Sequence, residues 1–143
     1  MEEILLLRKM VEEHDYQSAL ALIDEMEEMA KDDKITKIEA YVLVLLIHLI
    51  KQQAEKRTTR SWDHSIDNAL DGIYVSNKRR KAGGFYLTHD ELREAVEERF
   101  TRALKDAAHE AFEGIYSAAQ LAGMIDTEQV KKKALELITT YEP

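Results

Sequence analysis

His48 is the first candidate for a functional side chain, because it is the polar residue within the long apolar run of residues 40–50. An imidazole there could ligate a metal, act as a general base or form a hydrogen bond in the core. Its neighbours at helical spacing offer no group that prefers a metal: Val44, Leu45, Lys51 and Gln52. Because buried polar groups are almost always hydrogen-bonded, we favour a structural histidine whose partner is Ser61, the Trp62 region or a carboxylate of the second helix.

The tripeptide Arg60-Ser61-Trp62 is a second candidate. An arginine fork binds carboxylate or phosphate, and an indole stacks on rings or cations. The alternative is a plain helix start, in which a Ser or Thr caps the helix, Trp62 anchors the core and Arg60 pairs with the acidic residues 24–28. We favour the helix start. His48, Arg60, Ser61 and Trp62 are therefore kept as a candidate interaction corner with no assigned reaction.

Four consecutive cations form a candidate basic patch: Lys78, Arg79, Arg80 and Lys81. Three more cations precede it, namely Lys56, Arg57 and Arg60, and three aromatic residues flank it, namely Tyr74, Phe85 and Tyr86. Cations with interleaved aromatic rings could bind phosphates and stack on bases. The alternative is a solvated helix end, where cations offset the negative end of the helix dipole. We favour the helix end, because no helix of the chain is predicted to be a basic recognition helix after a short turn.

Carboxylates and histidines do not fall at the spacing of a di-iron bundle, which needs Glu-x-x-His on two helices and a Glu on two others. The nearest match is Asp106 followed by His109, once, with Asp in place of Glu. The chain has no cysteine, no phosphate-binding glycine loop, no Gly-x-Ser-x-Gly turn and no His-Glu-x-x-His motif. The sequence therefore predicts no catalytic residue, no metal ligand and no cofactor, and it favours a non-enzymatic protein.

The element that must position His48 is a helix over about residues 33–57. Ile35, Ile38 and Val42 follow a helical spacing, and no Gly or Pro interrupts the segment. A helix that is apolar on all faces is typically surrounded by other elements. The eleven residues 40–50 rise only about 16 Å, roughly half of a hydrocarbon core of about 30 Å. The sequence thus predicts a central buried helix and no membrane span.

Apolar periodicity and start signals predict five further helices, which makes the chain all-α: a bundle of four main helices and two shorter ones in a single domain, residues 1–143. They cover about residues 3–13, 16–30, 58–77, 88–122 and 126–141. Lys31-Asp32-Asp33 is predicted to form a tight connection or a kink, and Thr88 with Glu91 a capping box. The helix over 88–122 is predicted to be the longest.

The net charge of −8 is distributed unevenly. Residues 1–50 carry −7, residues 51–81 carry +4 and residues 82–143 carry −5. An acidic chain disfavours nonspecific binding to nucleic acid, whereas the basic middle permits a local site. The lack of cysteine and an acidic N-terminus that does not resemble a signal peptide favour a cytoplasmic protein.

Three pieces of the sequence, taken in order, resemble a known family. They are Leu22-Ile23-Asp24-Glu25-Met26-Glu27-Glu28-Met29, then Leu45-Leu46-Ile47-His48-Leu49-Ile50-Lys51, then Arg60-Ser61-Trp62 with Ile66 four residues on. This order resembles the bacterial, largely cyanobacterial, domain of unknown function twenty-nine family. The resemblance implies a helical bundle in a bacterial cytoplasmic protein and implies no activity. The chain departs from the family pattern at Gln52 and Gln53, where a Trp often stands, and after about Ala111.

We expect this protein to act by binding another molecule through its surface. The missing catalytic constellation, the charge poles and the alanine-rich helix over 88–122 favour a protein–protein interaction or adaptor protein, with an unidentified protein partner or a second copy of the chain. The alternative is a nucleic-acid-associated regulator that uses the basic run 78–81. A metal-dependent helical-bundle enzyme is a second alternative.

Overall fold

The computed structural model describes residues 2–79 and 83–143, and every regular element in these ranges is a helix. The α-helices are α1 (Glu2–Glu12), α2 (Tyr16–Glu55), α3 (Arg60–Asn77), α4 (His89–Glu110), α5 (Ala118–Gly123) and α6 (Thr127–Thr140). A 3-10 turn, Ala111–Gly114, follows α4, and one isolated antiparallel bridge joins Lys78 to Phe85. The predicted all-α helical bundle is confirmed, although the six α-helices divide the chain differently from the six that were predicted.

The connection predicted at Lys31-Asp32-Asp33 is wrong, because α2 continues through it from Tyr16 to Glu55. These 40 residues contain no Gly or Pro, and an Asp inside a helix costs only about 0.7 kcal/mol relative to Ala. Asp32 and Asp33 are exposed, so the helix continues without burying either carboxylate. The helices predicted over residues 16–30 and 33–57 are therefore a single helix.

The single helix predicted over residues 88–122 is also wrong, because α4 ends at Glu110 and α5 begins only at Ala118. Phe112 and Glu113 have left-handed φ values of 50° and 59°. Ser117 then starts α5 with a capping box, in which its hydroxyl accepts from the backbone N–H of Gln120. Apolar periodicity persists across this break, so the pattern alone could not reveal it.

The predicted starts of α3, α4 and α6 are confirmed, whereas the start offered by Asp32 or Asp33 is not used. Thr88 accepts from the backbone N–H of Glu91, whose carboxylate accepts from the Thr88 N–H, so the capping box of α4 is complete. Thr59 caps α3 by accepting from the Trp62 N–H, and Asp126 caps α6 by accepting from the Gln129 N–H. Each cap satisfies a backbone donor that the first helical turn leaves free.

The chain divides into two compact units, residues 1–34 and 35–143. The first, called the N-terminal unit below, contains α1 and the start of α2, joined by a turn at His14, whose φ is 61°. The second, called the C-terminal unit, contains the rest of α2 and all later helices.

The core of the C-terminal unit is built on the apolar run of α2, as predicted. Leu45, Leu46 and Ile50 have no exposed surface. The other helices contribute buried residues to the same cluster: Ala69 and Ile73 of α3, Val96, Phe100 and Ala103 of α4, Leu121 of α5, and Val130 and Ala134 of α6. The segment that carries His48 therefore supplies the centre of this core, with Val44 as one of its exposed positions.

Candidate functional site

His48 lies on α2 one turn before Lys51, and its Nδ1 is buried with no hydrogen-bond partner among the described residues. The partner expected for a structural histidine is thus not found for this nitrogen. Burial lowers the pKa of His48 below its usual 6.5, the nearby Lys51 lowers it further, and Glu110 opposes both. The imidazole is therefore neutral at pH 7, because both dominant causes disfavour its charged form.

Lys51 is a buried cation, with 5% of its surface exposed. Its Nζ lies 4.6 Å from the centroid of the Trp62 ring and 3.5 Å from Glu110 Oε1. The face of an indole ring is electronegative, so it stabilises an ammonium group that has lost water. The pair with Glu110 is long, and half of the Glu110 side chain is exposed. The carboxylate alone therefore offsets the burial of Lys51 only in part.

Arg57 approaches the same ring, with its Cζ 4.7 Å from the Trp62 centroid. Its Nε donates to Glu55 Oε1 at 3.0 Å, and Glu55 Oε2 accepts from the backbone N–H of Phe112 at 3.4 Å. Glu55 thus ties the end of α2 to the 3-10 turn, where the chain takes its left-handed conformation. We call the following residues the Trp62 cluster: Lys51, Glu55, Arg57, Trp62 and Glu110.

Arg60 and Ser61 do not join this cluster, although they adjoin Trp62 in the sequence. Both are exposed in the first turn of α3. Thr59 caps the helix, accepting from the Trp62 backbone N–H at 3.1 Å. Among the described residues, Arg60 forms no ion pair. Of the candidate corner, only His48 and Trp62 are near a common group, the Lys51 ammonium.

Three members of the Trp62 cluster were missed from the sequence: Lys51, Glu55 and Glu110. Lys51 carried a signal, because it follows His48 at helical spacing at the end of an apolar run, where a cation needs a partner. Glu110 carried none, since periodicity placed it inside one long helix. The cluster brings together the ends of α2, α3 and α4 and holds them with one aromatic ring and two carboxylates.

The basic patch is described at Lys78 and Arg79, whereas Arg80 and Lys81 lie outside the described residues. Lys78 Nζ lies 5.9 Å from the Tyr74 ring centroid, and Arg79 Cζ lies 5.5 Å from that of Tyr86. The Arg79 backbone N–H donates to Gly84 O at 3.0 Å, which closes the loop that follows α3. The aromatic residues predicted to flank the cations therefore do so.

The N-terminal unit leaves much of its apolar surface in water. Seven of its large apolar side chains are between 46% and 63% exposed: Ile4, Leu5, Leu6, Val11, Tyr16, Leu20 and Met29. No described residue of α1 is buried. In the C-terminal unit, more than three times as long, five are exposed among the described residues: Val44, Val75, Phe85, Ile115 and Met124. We call the first set the N-terminal apolar surface.

No helix in the described ranges is both long and apolar enough to cross a membrane. No three His, Cys, Asp or Glu side chains in them are grouped as metal ligands.

The family described as Domain of unknown function DUF29 matches residues 3–76, just over half of the chain. The match runs from α1 to the end of α3 and contains all three pieces of sequence on which the resemblance was noted. It therefore includes every member of the Trp62 cluster except Glu110. No curated protein and no solved structure matches the chain.

Proposed function

Since the chain belongs to the family described as Domain of unknown function DUF29, whose description assigns no activity, we propose its function from its surfaces: it is an interaction or adaptor protein whose N-terminal unit binds another protein. The observation that supports this proposal is the N-terminal apolar surface. Large apolar side chains that are concentrated and exposed in one part of a protein suggest a site of contact with another protein.

The stability of the N-terminal unit gives the first reason. A segment of fewer than about 40 residues rarely buries enough surface to fold by itself, and a helix shorter than about 12 residues is marginal in water. α1 has 11 residues, none of the described ones buried. Docking on a partner would bury Leu5 and Leu20, the two most exposed residues of the surface, and would stabilise both helices.

The charge of the unit indicates the kind of partner. Residues 1–34 contain eleven Asp or Glu and four Lys or Arg, a net charge of −7. Charge of one sign around an apolar patch speeds association with a surface of the opposite sign and repels like surfaces. A basic partner protein therefore fits this unit better than a second N-terminal unit or an anionic membrane.

The proposal is tested by affinity purification of the full chain, tagged at its C-terminus, from its native host, with and without nuclease. The test variant carries Leu5→Ser and Leu20→Ser. The matched control carries Val75→Ser and Ile115→Ser, which remove two equally exposed apolar side chains from the C-terminal unit. We expect a stoichiometric protein that survives nuclease, is retained by the control and is lost from the test variant.

Two results would contradict the proposal. If both variants retain the same proteins as the natural chain, the N-terminal apolar surface is not the contact. If the co-purified material disappears with nuclease, nucleic acid carries the association, and the basic patch becomes the site to examine. Far-UV circular dichroism of both variants checks that the helices remain.

A further inference from the structure

A groove in the C-terminal unit opens between the end of α3, the start of α4 and the end of α6. Its walls are the rings of Tyr74, Phe85 and Tyr141, and its floor includes the buried side chains of Ile73, Leu87 and Leu92. Its volume is about 250 Å³, below the roughly 300–1,000 Å³ of sites for small molecules. We call it the Tyr74 groove. A space of this size and lining suits one bulky side chain of a partner.

The rings already interact with one another but leave room for another ring. The Tyr74 centroid lies 6.0 Å from that of Phe85 and 6.0 Å from that of Tyr141, with the planes inclined by 67° and 56°. Phe85 is 53% exposed although it packs on Tyr74. An aromatic side chain seated against Phe85 would add an edge-to-face or offset pair, the arrangement that aromatic rings prefer.

Asn77 supplies an unused donor in the same groove. It is 5% exposed and lines the groove. Its Oδ1 accepts from the Leu87 N–H at 2.8 Å, and its carbonyl oxygen accepts from the Tyr86 N–H at 2.8 Å. Its Nδ2 carries two further donors and donates to no described residue. Among the described residues, His48 Nδ1 is the buried side-chain atom without a partner, so Asn77 Nδ2 reaches solvent in the groove and can donate to an acceptor oxygen of a ligand.

The charge beside the groove favours an anion. Lys78 and Arg79 form no ion pair with a described residue, and the N-terminus of α4, with its positive dipole end, enters the groove at His89. Asp71 and Asp67 lie near the Tyr141 wall, where both carboxylates raise the pKa of the phenol, so the charge favours an anion beside Lys78 and Arg79 and not at that wall. Asp71 accepts from the Tyr141 hydroxyl at 2.9 Å, and Asp90 pairs with Arg93 at 3.1 Å. Glu91 is the acidic member of the α4 capping box.

From these three features together, we propose that the Tyr74 groove receives an aromatic side chain that lies next to a carboxylate in a segment of a partner protein. The ring fills the space between Tyr74, Phe85 and Tyr141. The acidic neighbour lies against Lys78, and a carbonyl oxygen of the segment accepts from Asn77 Nδ2. This contact goes beyond the proposed function, because the groove lies wholly within residues 35–143 and is independent of the N-terminal apolar surface.

The test is an NMR titration of the full chain with a capped peptide of sequence Glu-Glu-Phe-Glu-Glu. Two matched peptides are Glu-Glu-Ala-Glu-Glu and Lys-Lys-Phe-Lys-Lys, and a short oligothymidylate represents nucleic acid. We expect the first peptide to shift the methyl signals of Ile73, Leu87, Leu92 and Ile138 and the Asn77 side-chain amide. The alanine and lysine peptides should bind at least about tenfold more weakly.

Two exposed residues of the chain provide the variants. Phe85→Ala should weaken binding of the first peptide about tenfold, and Lys78→Glu should weaken it and reduce its dependence on salt. The control, Lys105→Glu, changes another exposed cation, on α4 outside the groove, and should bind like the natural chain. A thermal melt unchanged by Phe85→Ala separates loss of binding from loss of folding.

Several outcomes would overturn the assignment. Equal binding of the phenylalanine and alanine peptides would show that no ring enters. Shifts confined to signals outside the groove would place the peptide elsewhere. If oligothymidylate shifts the same signals more strongly than the first peptide, the groove receives a base rather than a side chain. None of these results bears on the affinity purification with the N-terminal variants, so each proposal can fail without the other.

Discussion

Replacing Trp62 by alanine should destabilise the C-terminal unit by about 4 kcal/mol, more than its partial burial alone explains. Truncating a fully buried Trp costs about 3–5 kcal/mol, and Trp62 keeps part of its surface in water, so lost packing accounts for about 2–3 kcal/mol. The buried Lys51 ammonium loses the ring face 4.6 Å away, which adds about 1–2 kcal/mol. Arg57, whose side chain is 54% exposed, adds about 0.5 kcal/mol.

A double-mutant cycle separates the Lys51 contribution from the packing. Lys51→Met removes the charge and keeps an unbranched side chain of similar length. Alone it should be nearly neutral or slightly stabilising, because the burial of an ammonium group with one long ion pair is costly. In the Lys51→Met background, Trp62→Ala should cost about 1–2 kcal/mol less than in the natural chain, since no buried cation then loses its ring.

The assay is urea unfolding of the four proteins followed by circular dichroism at pH 7, with linear extrapolation of the free energy of unfolding to water. Arg60→Ala is the control, because Arg60 is exposed and adjoins Trp62 in the sequence without joining the cluster. It should change the free energy by less than about 0.5 kcal/mol. A coupling between Lys51 and Trp62 smaller than about 0.5 kcal/mol would refute the conclusion that the indole stabilises the buried ammonium.

Three further predictions concern pH and packing. Acidification should destabilise the C-terminal unit, because the pKa of His48 is lowered in the folded state. The stability from its neutral form is present above the unfolded pKa of about 6.5 and is lost as pH falls through the folded value. Between pH 5 and 7.5 the melting temperature should therefore depend less on pH in His48→Leu than in the natural chain, and an equal dependence would disprove the prediction. The hydrogen bond to Asp71 raises the pKa of Tyr141 to about 12, so NMR titration should show the phenol ionising above its usual pKa of about 10. Asp71→Asn should lower the pKa of Tyr141, and a normal pKa in the natural chain would exclude the hydrogen bond. Gly72→Ala would place a methyl group inside the Tyr41 ring and should cost about 1–3 kcal/mol, whereas Gly123→Ala meets no atom within 4 Å; equal melting temperatures for the two variants would contradict the close contact.

Three helix caps could be predicted from the sequence, because each is a hydrogen bond between a side chain and the backbone a few residues away. Thr59, Thr88 and Asp126 each cap a helix because a short polar side chain reaches the N–H two or three residues on. That interaction needs no distant partner, so the sequence suffices to predict it. Most of the apolar run of residues 40–50 is likewise buried, as a helix that is apolar on every face requires, although Ala40 and Val44 remain exposed.

The contacts around Trp62 cross between helices, so the sequence could not reveal them. His48 and Trp62 both lie near the Lys51 ammonium, which was not recognised as buried. Arg60 and Ser61 adjoin Trp62 in the sequence, yet both are exposed at the first turn of α3 and neither belongs to the Trp62 cluster. Adjacent residues on a helix are about 100° apart around its axis, so adjacency in the chain does not imply a shared site.

Four features could be predicted from the sequence: the all-α class, the starts of α3, α4 and α6, the burial of most of the central run, and the acidic character of residues 1–34. These follow from periodicity, capping and charge, which act within a few residues. The end of α4 at Glu110 involves tertiary contacts instead, because Glu55 of α2 accepts the N–H of Phe112 just beyond it. The position of Asn77 also depends on tertiary contacts. Its side-chain oxygen accepts from the Leu87 N–H, which leaves its amide nitrogen in the groove with three aromatic rings. Both outcomes depend on groups far apart in sequence, whose approach is set by how the helices pack.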